Sequence, residues 1–140
     1  MHEKLLTLVL KGFGIICCLA VVPLLMPTSW MAACHEWLGM GEFPGMPVAE
    51  YLARMTSGLC AFLGMLALLL ARDLQRYAGA IRLLAISVCL LEVINLFYGL
   101  PSGMPAWWIW SDTVGAAGFA IVVIYLQQKI ANASSTSEPE

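Results

Sequence analysis

The sequence predicts an all-α protein, an integral membrane four-helix bundle with both termini cytoplasmic and a short interfacial helix between its first and second spans. Three observations predict this class. Hydrophobic residues make up 61% of the chain and charged residues only 11%, whereas soluble domains are about half apolar and a quarter charged. Four apolar stretches approach or exceed the roughly 20 residues that a membrane-spanning helix needs. The 140 residues match one domain of four spans joined by short loops.

The net charge and the cysteine spacing argue against some kinds of binding partner. A net charge of −2 argues against nucleic acid, because nucleic-acid-binding domains carry a basic surface. The five cysteines form no Cys-x-x-Cys pair and no cluster with histidine at metal-ligand spacing. The sequence therefore predicts no metal site and no cofactor. It predicts a membrane lipid or small lipophile as the partner, with a homo-oligomer or a membrane complex as further expectations.

Residues 5–26 form the first predicted span. Lys11 lies about two turns into this span and can extend its amine toward the near interface. Pro23 is expected to kink the far end and Pro27 to stop it, because proline lacks the N–H that a helix uses. A cleaved signal peptide is the competing interpretation. It fits less well, since the apolar stretch is longer than a usual signal and Lys11 interrupts it.

Residues 28–39 are predicted to form a short helix that lies in the membrane interface. One face carries four residues at helical spacing: Trp30, Cys34, Trp37 and Leu38. Tryptophan favours the head-group level of a bilayer, so this face suits a membrane-surface helix. His35 lies on the other face and is expected to be a solvated surface residue rather than a proton carrier or ligand.

The remaining spans follow in order. The second covers residues 51–71, the third residues 82–100 and the fourth residues 105–128. A compact basic turn joins the second span to the third. Residues 131–140 are small, polar and acidic, which predicts a disordered tail after a membrane domain of residues 1–130.

The basic residues predict the topology. Six of the seven lie toward one side of the spans: Lys4, Lys11, Arg72, Arg76, Arg82 and Lys129. Arg54 alone lies toward the other side. Because cytoplasmic loops are enriched in Lys and Arg, both termini and the middle turn are predicted to be cytoplasmic. All five tryptophans then gather at the outer interface, where tryptophan is favoured.

The predicted site centres on Glu92, near the middle of the third span. A carboxylate at this depth is costly in lipid, so it marks a functional site and must find a partner inside the protein. Asn95 lies one turn further along the same face. Arg54 on the second span and Asp112 on the fourth lie at a depth similar to that of Glu92, roughly 9–12 Å below the outer helix ends.

This common depth predicts a polar pocket in the outer leaflet. The Arg54 guanidinium is expected between the carboxylates of Glu92 and Asp112, where it would neutralise most of their charge. Three further residues are placed on the rim. The predicted ligand-binding set is therefore Arg54, Glu92, Asn95, Tyr98, Trp108 and Asp112, and no catalytic residue is assigned.

Structural alternatives exist for these residues. Arg54 can extend toward the interface, since residues 55–71 alone make a minimal span. Asp112 can be the N-cap of a shorter fourth span, and Tyr98 can belong to the interfacial aromatic belt. Glu92 can bond a backbone carbonyl as a neutral carboxyl group, or pair with Lys11. The glycines of the spans are expected to allow close helix packing: Gly58, Gly64, Gly99, Gly115 and Gly118.

Two stretches carry a resemblance to a known group of proteins. They are HEWLGMGEFPGMPVAEYLARMTS, which begins at His35, and GMPAWWIW, which precedes the fourth span. Together with the basic turn, they resemble small bacterial four-helix membrane proteins of the DoxX-like kind. The resemblance covers most of the chain after His35 and implies a four-helix bundle in the bacterial inner membrane. Some members of this broad group are linked to quinone-related redox complexes, but this chain shows no quinone-specific motif, so no quinone-site residue is carried over.

Three functions fit these features. The favoured hypothesis is binding of a lipid or small lipophile, with its head group in the polar pocket and its tail in a cleft of the bundle. The first alternative is an accessory or scaffold subunit of a membrane complex, in which the polar residues only support folding. The second is a membrane enzyme on an isoprenoid-like substrate, with Glu92 or Asp112 as general acid or base. The expectation leans away from an enzyme.

Overall fold

A computed structural model describes the backbone of residues 1–135 and the side chains of residues 1–133. Every regular element in this part of the chain is helical, which confirms the predicted all-α class. A short 3₁₀ helix, Leu100–Ser102, follows the fifth α-helix. The α-helices are α1 (His2–Cys18), α2 (Val21–Leu25), α3 (Thr28–Trp37), α4 (Pro47–Leu70), α5 (Ala78–Gly99) and α6 (Ala106–Ser135).

Four helical segments are long and apolar enough to cross a membrane, as the sequence predicts. They are His2–Leu25, Pro47–Leu70, Ala78–Ser102 and Ala106–Ala133. Each presents large apolar side chains at exposed positions, among them Ile16 at 69%, Met65 at 57%, Leu90 at 60% and Ile121 at 68%. A continuous surface of this kind is unfavourable in water and suits a lipid environment. The bundle arrangement and the cytoplasmic placement of the termini stay predictions.

The first span is broken at residues 19–20, four residues before Pro23, where α1 gives way to α2. Pro23 has no N–H to donate to the Leu19 carbonyl oxygen. Val22 donates to that oxygen instead, at 2.9 Å, in the tighter i→i−3 pattern. The helix is therefore disrupted one turn before the proline, because the proline ring also crowds the preceding turn.

The short helix α3 begins at residue 28, as predicted, and exposes both of its tryptophans, Trp30 and Trp37. His35 is partly exposed and makes contacts that the sequence did not predict. Its Nδ1 lies 2.9 Å from the carbonyl oxygen of Gly41, and its ring packs edge-on against Phe43. His35 therefore stabilises the turn that follows α3. The interfacial position of the helix stays a prediction.

The described chain forms two compact units. Unit 1 consists of residues 1–13 together with the chain from residue 67 onward, and unit 2 consists of residues 14–66. Helix α1 contributes its first part to unit 1 and its last part to unit 2.

In unit 2 the end of α1 approaches α4 through glycine. A Cβ atom on Gly64 would lie 2.6 Å from the Gly14 carbonyl oxygen and 2.7 Å from the Cys18 nitrogen. No other residue fits there without a shift of the backbone. Gly58 lies further along the same seam and faces Leu24, 3.8 Å from the nearest methyl carbon. The packing role predicted for Gly64 is confirmed, and it follows the small-residue rule of membrane helices.

The core of unit 1 is formed by the first part of α1, the end of α4, α5 and α6. Its largest fully buried side chains are Leu6, Leu10, Ile81, Val123 and Leu126. The rings of Phe13 and Phe119 stack with their centroids 4.1 Å apart. The five buried side chains lie toward the helix ends that carry the basic residues, whereas the stacked rings lie near the middle of their spans.

Helices α5 and α6 form an antiparallel hairpin within unit 1. Gly99 near the end of α5 faces Ile109 near the start of α6, and a Cβ atom on Gly99 would lie 3.4 Å from the isoleucine side chain. At the opposite end, the Gln127 side-chain amide donates a hydrogen bond of 2.8 Å to the Ala78 carbonyl oxygen. These two contacts fix the register of the hairpin.

Several helices are longer than predicted. Helix α4 begins at Pro47 rather than residue 51, because proline suits a first helical turn. Helix α5 begins at Ala78 rather than residue 82, so that Arg82 lies one turn inside it. Helix α6 continues to Ser135, into the segment predicted to be a disordered tail, where alanines at 131 and 133 favour helix. The remainder of that tail, residues 136–140, lies outside the described residues.

Candidate functional site

The most densely hydrogen-bonded polar group of unit 2 is the guanidinium of Arg54. Its Nε and Nη2 atoms donate to one oxygen of Glu50, at 3.0 and 2.9 Å. Nη1 donates to the carbonyl oxygens of Leu24 and Met26, at 2.8 and 3.1 Å. Nη2 also donates to the Thr28 hydroxyl at 3.3 Å. We call this group, Arg54 with Glu50, Thr28 and the two carbonyls, the arginine clamp.

All five N–H donors of Arg54 have an acceptor within unit 2. A guanidinium has one donor on Nε and two on each terminal nitrogen, and the arginine clamp uses every one of them. None remains for a ligand head group or for a second carboxylate. The partner of Arg54 is therefore Glu50, and not Glu92 or Asp112 as the sequence predicts. Arg54 holds the end of the first span against α4.

The arginine clamp satisfies backbone groups that the end of a helix leaves open. The carbonyls of Leu24 and Met26 lie at the end of α2, where the last carbonyls of a helix lack intrahelical partners. Thr28 completes the arrangement, since its hydroxyl donates to Glu50 at 2.7 Å and accepts from Arg54. The alternative that Arg54 extends toward the interface stays a prediction, and in the described chain its guanidinium reaches the end of the first span.

The sequence contained one signal for Glu50 that our prediction missed. Glu50 lies four residues before Arg54, and a glutamate placed four residues before a cation on a helix is a favourable pair. The predicted span began at residue 51, which left Glu50 outside the helix. The helix in fact begins at Pro47 and contains the pair.

In unit 1, Glu92 and Asn95 lie together as predicted. The Asn95 amide donates to Glu92 Oε2 at 3.4 Å, a long hydrogen bond between neighbouring turns of α5. Asn95 is exposed and Glu92 is partly exposed. Asn95 is thus the hydrogen-bond partner that α5 itself supplies to the Glu92 carboxylate.

The register of the α5–α6 hairpin brings further polar residues to this depth. By this register, Asn95 is at the depth of Asp112, and Glu92 is at the depth of the helical turn that begins at Thr113. The hydroxyl oxygen of Thr113 is buried and has no hydrogen-bond partner among the described residues. We call the four residues Glu92, Asn95, Asp112 and Thr113 the polar level of unit 1.

Asp112 lies inside α6, six residues after the helix begins, which excludes its alternative role as an N-cap. The indole N–H of Trp108, one turn earlier, approaches the Asp112 carboxyl group. The two residues therefore interact along α6, as their spacing predicts.

Tyr98 lies apart from this arrangement. Its ring is 69% exposed and packs edge-on against the neighbouring Phe97. Both rings lie near the end of α5 and suit an interfacial aromatic position. Three of the six predicted site residues lie at one depth of unit 1: Glu92, Asn95 and Asp112. Trp108 lies beside Asp112 on α6, and Tyr98 lies near the end of α5. Arg54 belongs to the arginine clamp of unit 2.

The polar level is rich in hydrogen-bond acceptors and poor in cations. Residues 83–128 contain two carboxylates, Glu92 and Asp112, and no Lys, Arg or His. Within the described side chains, no three His, Cys, Asp or Glu residues are grouped closely enough to hold a metal ion. The polar level therefore offers carboxylate and hydroxyl oxygens to a group that donates hydrogen bonds.

No family model, curated protein or solved structure matches this chain. The resemblance to DoxX-like proteins stays a prediction.

Proposed function

We propose that the protein binds a membrane lipid or small lipophile whose head group donates hydrogen bonds to the polar level of unit 1. The chain is then a multi-pass protein of a bacterial inner membrane, a four-helix bundle with both termini cytoplasmic, and the polar level lies in the outer leaflet. The observation that carries the proposal is the excess of acceptors on α5 and α6. Two carboxylates and a buried hydroxyl lie at one depth, and residues 83–128 supply no cation.

The chemistry of that level selects the head group. A carboxylate within a membrane is costly unless a donor or a cation approaches it. Glu92 receives one long hydrogen bond, of 3.4 Å, from Asn95 on its own helix. An ammonium or hydroxyl head group would satisfy the remaining acceptor positions, since an ammonium carries three donors and a compensating charge.

The surroundings of the polar level suit an apolar tail. The side chains beside Glu92 on α5 are large, apolar and exposed: Leu90, Leu91, Val93 and Ile94. A lipid whose head group contacts Glu92 therefore has hydrocarbon-compatible surface next to it along the helix. This combination of a few polar groups within an apolar surface is typical of lipophile sites.

The test compares two zwitterionic lipids with the same acyl chains and different numbers of head-group donors. Phosphatidylethanolamine has three N–H donors, whereas phosphatidylcholine of the same acyl chains has none. We would titrate each into the purified full-length protein in neutral detergent and measure the bound fraction by native mass spectrometry. We expect roughly tenfold tighter binding of phosphatidylethanolamine, as expected for one charge-assisted hydrogen bond.

Substitutions of the two carboxylates test whether the lipid preference depends on the polar level. Glu92→Gln and Asp112→Asn should each reduce the preference severalfold, because each removes a carboxylate from the polar level. Glu42→Gln, in an exposed loop of unit 2, removes the same charge elsewhere and should leave the preference unchanged. Equal binding of the two lipids by the wild-type protein would contradict the proposal, as would an unchanged preference in both carboxylate variants.

An accessory subunit is the second candidate, and one observation favours it. Gly115 and Gly118 on α6 face open space, with no atom within 4 Å of a built Cβ position. These two glycines therefore do not serve packing against the described part of the chain, unlike Gly64 and Gly99. A partner helix could pack closely on this face. The enzyme alternative has no such observation in its favour.

A further inference from the structure

We propose a second binding site in unit 1, for an anionic amphiphile whose head group combines a phosphate with a hydroxyl. The site is a cavity of about 570 Å³ near the start of α5 and the end of α6. It is separate from the polar level, which lies toward the opposite end of the same hairpin. Its size is in the range of about 300–1,000 Å³ that small-molecule sites occupy.

Gln127 is the residue that points to a ligand. It lines the cavity and is only 8% exposed. Its Nε2 donates to the Ala78 carbonyl oxygen at 2.8 Å, whereas its Oε1 is buried and has no partner among the described residues. A carbonyl oxygen only accepts, so Ala78 fixes the orientation of the amide and leaves Oε1 as the open atom. A buried acceptor of this kind is costly unless a donor fills it.

Arg82 supplies the charge. It lines the same cavity from α5, one turn after Ala78, and its guanidinium forms no hydrogen bond or ion pair with another described side chain. A phosphate is the anion that an unpaired guanidinium binds best, through two parallel hydrogen bonds. The donor that Gln127 needs is then a hydroxyl on the same head group.

The rest of the cavity is apolar, with Leu6, Leu74 and Ile130 among its lining residues. It therefore accepts hydrocarbon beside the head group. The basic residues of the chain cluster at this end of unit 1, where the positive-inside rule predicts the cytoplasmic leaflet. That leaflet is the membrane surface that carries anionic lipid. Phosphatidylglycerol has the required phosphate, hydroxyl and tails.

The experiment titrates phosphatidylglycerol and phosphatidylcholine of matched acyl chains into the full-length protein in neutral detergent, read by native mass spectrometry. Loss of one basic residue weakens attraction to an anionic lipid by about fivefold through general electrostatics. We expect Arg82→Gln to reduce the affinity for phosphatidylglycerol by about 50-fold, because a direct bidentate contact is lost as well. Arg76 is an exposed cation in the turn before α5 and does not line the cavity, so Arg76→Gln should reduce the affinity by only about fivefold.

A steric variant tests the cavity without changing charge. Gly79 lines it, and a Cβ built on Gly79 meets no atom within 4 Å, so Gly79→Leu can fill the space and leave the fold intact. We expect at least a tenfold loss of phosphatidylglycerol binding. Gly12→Leu is the matched control, since Gly12 is also helical, meets open space and does not line the cavity.

Equal losses in Arg82→Gln and Arg76→Gln, or full binding in Gly79→Leu, would overturn the proposal and leave only a general basic surface. Competition with soluble glycerol 1-phosphate separates the two sources of this head-group chemistry. Displacement at millimolar concentration assigns the site to the soluble phosphate ester, and no displacement assigns it to the lipid.

Discussion

Arg54 and Glu50 lie one turn apart on α4, and two nitrogens of the guanidinium share one oxygen of the carboxylate at 3.0 and 2.9 Å. The same guanidinium binds two backbone carbonyls beyond the break in the first span. A polar residue within a membrane span is therefore used here to fix the position of a helix end, with its charge balanced locally.

We expect Arg54→Gln to lower the free energy of unfolding by about 2–3 kcal/mol, because it removes the charge-assisted bonds of the arginine clamp and leaves two carbonyls open. Arg54→Lys should fall between this variant and the wild type, since an ammonium keeps the charge but cannot reproduce the planar fork. Denaturant titration in mixed micelles measures both. Arg76→Gln, on an exposed turn, should change stability by less than about 0.5 kcal/mol. A wild-type value for Arg54→Gln would show that the clamp does not stabilise the fold.

Gly64→Ala should destabilise unit 2 by about 1–3 kcal/mol, as overpacking of a tight core does. The added methyl group would lie 2.6 Å from the Gly14 carbonyl oxygen, which the backbone can relieve only by moving the helices apart. Gly12→Ala has open space and should be neutral or stabilising by up to about 1 kcal/mol through helix propensity. Thermal unfolding followed by circular dichroism compares the two alanine variants. Similar midpoints for both would contradict the close approach at Gly64.

Thr113→Val tests the open acceptor of the polar level. Valine keeps the shape of threonine and removes a buried hydroxyl oxygen that has no partner, so the free energy of unfolding without lipid should rise by about 1 kcal/mol. If a head group uses this oxygen, the same variant should bind phosphatidylethanolamine more weakly. Thr7→Val, which loses an exposed hydroxyl bonded to Glu3, is the control and should change little. A clear loss of stability in Thr113→Val would mean that the hydroxyl already has a partner.

Cys34 provides a native probe of topology. It is the exposed cysteine of the five, on α3, whereas Cys17, Cys18, Cys60 and Cys89 are only partly accessible and lie in the spans. With both termini cytoplasmic, a membrane-impermeant maleimide should label intact cells at Cys34, and Cys34→Ser should abolish the signal. Labelling that appears only after permeabilisation would place Cys34 on the cytoplasmic side and show the opposite orientation.

The sequence was sufficient to predict the four apolar helices and part of the polar level. Apolar length and proline positions locate four spans, since both act locally along the chain. The pairing of Glu92 with Asn95 follows from helical spacing for the same reason. The equal depth of Asp112 and Asn95 follows from counting residues along an antiparallel hairpin.

The partners of Arg54 could not be predicted in the same way. Equal depth placed Arg54 beside Glu92 and Asp112, but depth does not fix the rotation of a helix about its axis. The carbonyls that Arg54 binds have no side-chain signature, because they become open only when the first span ends. The cavity beside Gln127 was missed because the predicted third span began at Arg82, which left Ala78 outside the helix.

The division of α1 between the two units has a consequence for biosynthesis. Unit 2 is one continuous stretch, residues 14–66, so the Gly14–Gly64 contact can form as soon as the second span has left the ribosome and entered the membrane. Unit 1 joins residues 1–13 to the end of α4 and the last two spans, and Phe13 meets Phe119 only after nearly the whole chain has been made. Since chains fold from the N-terminus during synthesis, the stacking of Phe13 on Phe119 must wait until the fourth span arrives. A chain stalled before residue 106 should therefore fold unit 2 and leave unit 1 incomplete.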